Sequence, residues 1–179
     1  MELRDRRVLI LGGAGLVGLA VTRRVLEARP SRVVVASLRK SEADEALARL
    51  APLVAEETQL DGTWGDLFVP EAFRERRRAD VLADPDSRAR LLDDLYGELT
   101  PEVLERSSLG RLLLDVAPDV VIDCINTAGA LAYRNAFEAA GALREAAREG
   151  RAGLEEVEGL LATLYLPQLI RHAQIGLDG

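Results

Sequence analysis

The sequence predicts an α/β fold with a doubly wound parallel sheet and extra helices, in the strand order 3-2-1-4. Two continuous apolar runs, Arg7–Leu11 and residues 119–124, are typical of strands buried on both faces of a parallel sheet. Between such runs apolar residues recur at helical spacing, and strands that alternate with helices form parallel sheets with helices on both faces. Right-handed crossovers make this strand order the leading choice.

The N-terminal segment has the size of one β-α-β unit. The strand Arg7–Leu11 ends at a pair of glycines, and apolar residues then recur every four positions from Val17 until Pro30 ends the helix. Arg32–Ser37, which contains three consecutive valines, is the second predicted strand. This order of strand, glycine turn, helix and strand is the main support for the predicted fold.

The rest of the chain continues the alternation, with a third strand expected within residues 57–69. Helices are predicted over residues 41–54, 87–96, 101–116, 135–149 and 154–172. Ser41 and Asp44 are expected to cap the first of these helices, and Pro167 to kink or divide the last one. The arginine-rich residues 74–78 are expected to form an exposed cationic helix, with an anionic-substrate site as the alternative.

Composition limits the possible partners and the compartment. The chain has 179 residues, 48% of them hydrophobic, and fits a single domain over residues 1–179. Its net charge of −7 provides no general attraction to nucleic acid or to an anionic membrane, so neither is an expected partner. Cys124 is the only cysteine, which favours a reducing, cytoplasmic location, and we expect its thiol to be buried and inert. Because His172 is the only histidine, a histidine metal cluster is excluded, and we expect His172 to end a helix.

The glycine-rich loop between the first strand and the first helix is the principal candidate site. A glycine at the strand end permits a tight turn, a second lets the backbone approach a pyrophosphate, and a third allows close packing of helix on strand. The N–H groups at the start of the helix then face the phosphates. The spacing fits both Gly-x-Gly-x-x-Gly and Gly-x-x-Gly-x-x-Gly, and a turn that binds nothing is the alternative. The predicted dinucleotide-binding residues of this loop are Gly12, Gly13, Ala14, Gly15, Leu16, Val17 and Gly18.

The residues after the second strand favour NADP over NAD as the cofactor. An NAD site usually has an acid there that holds the ribose hydroxyls. This chain offers Ser37, Arg39 and Lys40 instead, with no acid before Glu42. A hydroxyl and two cations suit a 2′-phosphate, because arginine forms paired charge-assisted hydrogen bonds to it. The alternative is that Arg39 and Lys40 are solvated residues before a helix.

With these motifs, the chain resembles the short-chain dehydrogenase/reductase superfamily, in its extended branch of NAD(P)-dependent epimerases and dehydratases. The glycine loop matches that branch, residues 118–123 resemble its fourth strand, and Asn126-Thr127-Ala128-Gly129 is similar to the classical Asn-Asn-Ala-Gly motif. The resemblance implies a Rossmann-type fold and a cofactor-lining role for Asn126, Thr127 and Ala128. It also implies a pair of residues, an acid followed by an apolar residue, that contact the adenine ring. Asp66-Leu67 is preferred for this pair, and Asp80-Val81 is the alternative.

One part of the family pattern is missing. Catalytic members use a tyrosine with a lysine four residues later, and Lys40, the only lysine, follows no tyrosine at that distance. The resemblance is weak over residues 71–117 and 133–158. The sequence also stops before the fifth strand of the family, which would leave the fourth strand with an unpaired apolar edge. We therefore expect this chain to be the first part of a longer enzyme that acts on a small hydroxyl, carbonyl or nucleotide-sugar-like substrate. The alternative is a non-catalytic NAD(P)-sensing or interaction module, and a homodimer is compatible with either.

Overall fold

The structure is a computed structural model that describes residues 2–125 and 130–178, with the side chains of 130–135 left out. Within these residues four parallel strands form one sheet in the order β3-β2-β1-β4. The strands are β1 (Arg7–Leu11), β2 (Arg32–Ser37), β3 (Gln59–Trp64) and β4 (Val120–Asp123). This order, with helices on both sides, is that of an α/β Rossmann-type fold, so the predicted fold class is confirmed.

The chain divides into two compact units, which are described separately. Unit 1 comprises Met1–Leu67 and Leu112–Asn126, and it contains the sheet with helices α1 (Leu16–Glu27) and α2 (Lys40–Leu50). A short 3-10 turn, Ala51–Leu53, follows α2. The core of unit 1 packs strand residues against both helices. Its buried members are Val8, Ile10, Val25, Leu26, Val33, Val35, Ala46 and Leu50.

Strand β1 is central and β4 lies at the end of the sheet in the described residues. Ile10 pairs with Val35 of β2 on one side and with Ile122 of β4 on the other. Exposure alternates along β4, and Val121 is 42% exposed. The expectation of a strand buried on both faces was therefore correct for β1 and wrong for β4, because the face of β4 that carries Val121 and Asp123 is exposed in the described structure. Cys124, just after β4, is accordingly half-buried rather than buried.

Unit 2 comprises Phe68–Arg111 and Thr127–Gly179 and is helical in its described part. A buried cluster of Val69, Phe73, Val81 and Leu91 packs within it. One helix, Ser108–Val116, contains residues of both units. The remaining helices are α3 (Arg78–Ala83), α4 (Pro85–Tyr96), α5 (Pro101–Arg106), α6 (Ser108–Val116), α7 (Ala130–Arg148), α8 (Leu154–Leu161) and α9 (Tyr165–Asp178).

Two predicted helices are each divided into two, and local chemistry explains the breaks. Ser107 separates α5 from α6: its backbone is extended, and its hydroxyl accepts the Gly110 N–H at 2.9 Å. The break between α8 and α9 precedes Pro167, which lies in the first turn of α9. A proline is tolerated there because first-turn N–H groups have no partner within the helix. His172 consequently lies within α9 rather than at a helix end, which corrects the prediction.

The predicted capping of the helix after β2 was wrong. Helix α2 begins at Lys40, and Arg39 occupies the capping position. The acid that bonds back to this position is Glu42 rather than Asp44, and the Glu42 Oε2 accepts the Arg39 N–H at 3.3 Å. Asp44 instead pairs with Lys40, at 2.7 Å.

The arginine-rich residues 74–78 do not form the expected exposed helix, since α3 begins only at Arg78. Their guanidinium groups bond within unit 2. Arg76 donates to the Ser87 Oγ at 2.9 Å, and Arg78 donates to the Gln168 Oε1 at 2.7 Å.

Asp84 caps α4, and its effect on stability should depend on pH. Its carboxylate accepts the Ser87 N–H at 3.0 Å, and hydrogen bonds from the Ser87 side chain and backbone lower the pKa of Asp84. A lowered folded-state pKa stabilises the protein at pH values above the unfolded-state pKa of about 4, and this contribution is lost as the pH falls through the folded-state pKa.

We expect Asp84→Ala to lower the thermal midpoint at pH 7 and to differ little from the parent in strong acid. Asp84→Asn keeps a capping oxygen but cannot titrate, so it should keep more of the midpoint than Asp84→Ala at pH 7 and lose less than the parent in acid. A loss for Asp84→Ala that is equal at both pH values would contradict this account.

Candidate functional site

The candidate site lies in unit 1, at the edge of the sheet where the parallel strands end. The loop after β1 is held there by neighbouring strands: the Gly13 N–H donates to the Ala36 carbonyl at 3.0 Å, and the Cys124 N–H donates to the Leu11 carbonyl at 2.9 Å. The Gly65 N–H after β3 donates to the Ser37 carbonyl at 2.9 Å. In open α/β sheets, ligands bind at this carboxyl edge, where the strand order reverses. The segments after β1, β2 and β3 that the sequence predicted as a site are therefore brought to one edge.

Two loop glycines leave no space for a side chain. Gly12 has φ +68°, and a Cβ there would lie 3.0 Å from the Cys124 carbonyl carbon. At Gly18 a Cβ would lie 2.6 Å from the Gly13 Cα and closer still to the Gly12 carbonyl oxygen. The first turn of α1 therefore packs directly on the loop, as the third glycine of the predicted motif requires.

The start of α1 is open to a ligand. Gly15 occupies the capping position and provides no side-chain cap, and the first turn contains no acid. The N–H groups of a first helical turn have no partner within the helix, and they carry the positive end of the helix dipole. Leu16 and Val17 are 91% and 61% exposed, although both are large apolar residues. This arrangement can bind a phosphate through backbone groups.

An acid, Glu42, reaches back to the end of β2, although it had been expected to lie too far along the chain to do so. The Ser37 Oγ donates to the Glu42 Oε2 at 3.0 Å, and the Arg39 Nη1 donates to the Glu42 Oε1 at 3.2 Å. Glu42 is in the first turn of α2 and folds back over the strand end. The overlooked signal was its spacing, because an acid at the third helical position often bonds to the capping residue.

The second cation at the end of β2 is also paired. The Lys40 Nζ lies 2.7 Å from the Asp44 Oδ2 and 5.1 Å from the centre of the Trp64 ring. Trp64 ends β3, is half-buried, and is paired with Ser37 in the sheet. Both cations predicted to bind a 2′-phosphate thus have carboxylate partners, while their side chains remain 72% and 60% exposed.

The two alternatives for the adenine-reading pair lie in different units. Asp66 and Leu67 follow β3 and Gly65, at the same edge as the glycine loop, with Leu67 buried and Asp66 half-buried. Asp80 and Val81 belong to α3 of unit 2, where Asp80 pairs with Arg77 at 2.8 Å and Val81 is in the core. The role of Asp66 and Leu67 in reading adenine stays a prediction.

The segment after β4 is described only as far as Ile125. The Ile125 N–H donates to the Asp123 Oδ1 at 2.8 Å. Burial and the nearby Asp123 carboxylate raise the pKa of the Cys124 thiol, which disfavours a reactive thiolate. The predicted cofactor-lining residues Asn126, Thr127 and Ala128 lie outside the described residues.

The described residues contain no further constellation that indicates catalysis. They include no group of three or more histidine, cysteine or acidic residues that could hold a metal ion. Tyr96 donates its hydroxyl to the Leu161 carbonyl at 2.9 Å, and burial raises its pKa, which disfavours the phenolate that a catalytic base needs. His172 is buried and stacks on Phe68 with ring centres 4.7 Å apart. None of the helices in the described part of the chain has the length and apolar character needed to span a membrane.

Comparison with known proteins gives likenesses to solved structures alone. No protein-family model matches the chain, and no curated protein matches it. Among solved structures, Pen from Bacillus thuringiensis is 13% identical with a TM-score of 0.40, and the match covers 91% of this chain and 35% of that one. The MalC reductase/Diels-Alderase from Malbranchea aurantiaca is 19% identical with a TM-score of 0.35, over 64% and 48% of the two chains. A-type ketoreductases from a modular polyketide synthase are 18% identical with a TM-score of 0.35, over 98% and 36%. The chain thus spans less than half the length of each of these three structures.

Proposed function

We propose that unit 1 binds a nicotinamide dinucleotide on its glycine loop, with NADP(H) preferred to NAD(H). The observation that carries this proposal is the packing of α1 on the loop, with no room for a Cβ at Gly18 and no side-chain cap at Gly15. A turn with a purely structural role does not require an uncapped, acid-free helix start at the carboxyl edge of the sheet. A pyrophosphate there would accept hydrogen bonds from the first-turn N–H groups.

The residues around the loop fit the remaining parts of such a cofactor. Ser37, Arg39 and Lys40 would bind the adenosine ribose and its 2′-phosphate, since they provide a hydroxyl and two cations at the end of β2. Asp66 and Leu67 would face the adenine, and the family resemblance assigns a cofactor-lining role to Asn126, Thr127 and Ala128. When bound, the nicotinamide would supply hydride transfer.

We further propose that the chain is the cofactor-binding portion of a short-chain dehydrogenase/reductase-type oxidoreductase or epimerase/dehydratase. This rests on the resemblance of residues 12–18 and 118–123 to the extended branch. The substrate class would be a small hydroxyl or carbonyl compound, or one similar to a nucleotide sugar.

A non-catalytic NAD(P)-sensing or interaction module is the second candidate. It is favoured by the missing tyrosine–lysine pair, because Lys40 is the only lysine of the sequence. A gene that continues beyond Gly179 into a further strand and a Tyr-x-x-x-Lys motif would support the enzyme. A stop codon at that point would support the module, and a homodimer is part of either proposal.

The direct test is a calorimetric titration of the purified chain with NADPH and with NADH, in which the heat of binding is measured. We expect NADPH to bind more tightly, and Arg39→Ala to weaken NADPH binding about tenfold with little effect on NADH, because it removes one charge-assisted interaction with the 2′-phosphate. Arg49→Ala is the matched control, since Arg49 lies on α2, the helix that Arg39 precedes, and pairs with Glu45. Equal binding of the two cofactors would overturn the NADP preference, and binding of neither by a folded sample would overturn the proposed function.

A further inference from the structure

Glu42 holds the groups that a 2′-phosphate would need. One carboxylate oxygen accepts the Ser37 hydroxyl at 3.0 Å and the Arg39 backbone N–H at 3.3 Å. The other oxygen accepts the Arg39 guanidinium at 3.2 Å. A single carboxylate thus gathers a hydroxyl, a backbone N–H and a guanidinium at the end of β2, and a phosphate would use the same kinds of donor.

The position of Glu42 makes it a competitor for an incoming phosphate. Its side chain is 40% exposed, so it lies at the surface where a ligand would approach rather than beneath it. A phosphate that engages Ser37 and Arg39 must displace the carboxylate from them, and it meets a like charge while doing so. A ribose with a free 2′-hydroxyl meets no such repulsion and can donate a hydrogen bond to the carboxylate.

We infer that Glu42 determines the cofactor specificity of this site, by occupying the 2′-phosphate donors and thereby limiting the preference for NADP(H). The inference rests on the proposed function and makes it more specific. Arg39 remains the residue that attracts the 2′-phosphate, and Glu42 weakens that attraction. The size of the preference for NADP(H) is therefore set by one carboxylate.

The test compares Glu42→Gln with the unaltered chain in NADPH and NADH titrations. Glutamine keeps an oxygen that can accept the Arg39 N–H, so the start of α2 is preserved while the charge is removed. Trp64 is the only tryptophan of the chain and belongs to the same edge of the sheet, so its fluorescence reports binding directly. We expect Glu42→Gln to tighten NADPH binding about tenfold and to leave NADH binding unchanged or weaker.

Glu45→Gln is the matched control. It makes the same charge change on the same helix, but Glu45 pairs with Arg49 and contacts neither Ser37 nor Arg39 in the described structure. It should leave the ratio of the two affinities unchanged. Adding Arg39→Ala to Glu42→Gln should abolish the gain for NADPH. Glu42→Ser removes the same charge by a second route if Glu42→Gln does not fold.

The outcomes separate this inference from the proposed function. Cofactor binding with the same NADPH to NADH ratio in Glu42→Gln and the parent would overturn the role of Glu42 and leave the proposed function standing. An equal gain in Glu45→Gln would overturn it too, because a general change of charge would then suffice. Binding of neither cofactor by any folded variant would overturn the proposed function and this inference together.

Discussion

Replacing Gly18 with alanine is expected to destabilise the protein by about 2–3 kcal/mol, the upper part of the range for overpacking a dense site. A Cβ at this position would lie 2.6 Å from the Gly13 Cα, so backbone rather than a flexible side chain would have to move. That movement would separate α1 from the glycine loop. We therefore expect the variant to lose dinucleotide binding as well, which a titration with NADPH would measure in the fraction that remains folded.

Gly141→Ala is the control that isolates this effect. Gly141 also lies inside a helix, α7, but outside its own stretch of helix no atom of the described residues lies within 4 Å of the place where its Cβ would be. Both substitutions gain the same helical preference of alanine over glycine, so Gly141→Ala should stabilise the protein by about 0.5–1 kcal/mol. Urea unfolding followed by far-ultraviolet circular dichroism compares the two. If Gly18→Ala proves as stable as Gly141→Ala, the close packing of α1 on the loop is refuted.

Local pattern was enough to predict the sheet and the position of the glycine loop. The apolar run Arg7–Leu11 forms the central strand, and β2 and β4 flank it as the order 3-2-1-4 requires. The pattern succeeded because strands buried on both faces of a parallel sheet, such as β1 and β2, are continuously apolar, and because only glycine fits at positions such as 12 and 18. The degree of burial of β4 could not be predicted this way, since it depends on which elements cover its two faces.

The errors on charged residues share a cause, which is that the partner of a charged side chain depends on where the chain folds back. Glu42 was counted as too distant from the end of β2, yet its first-turn position lets it reach Ser37 and Arg39. The arginines of residues 74–78 had the composition of an exposed helix, but their partners include Ser87 and Gln168, which are remote in sequence. A sequence pattern therefore predicts an element better than it predicts the partner of a charged residue.

The ion pair between Arg88 and Glu158 is the second site where a large effect is expected. It joins α4 to α8 within unit 2, with the Arg88 Nε 3.1 Å from the Glu158 Oε2. The two side chains are only 7% and 16% exposed, so neither charge is well solvated. Glu158→Ala would leave the Arg88 guanidinium buried with the Leu82 carbonyl, 2.9 Å away, as its remaining described acceptor. We expect a loss of about 3–5 kcal/mol, because removing one partner of a buried pair leaves an uncompensated charge.

The control for Glu158→Ala is Glu149→Ala, which removes the partner of Arg151 in an exposed pair of the same unit. It should change the free energy of unfolding by about 0.5 kcal/mol or less, because solvent screens exposed pairs. The double variant Arg88→Met with Glu158→Leu removes both charges and should recover most of the stability lost in Glu158→Ala. Equal losses for Glu149→Ala and Glu158→Ala in thermal or urea unfolding would show that burial adds nothing to the Arg88 pair. Failure of the double variant to recover stability would instead show that the geometry of the pair itself holds α8 on α4.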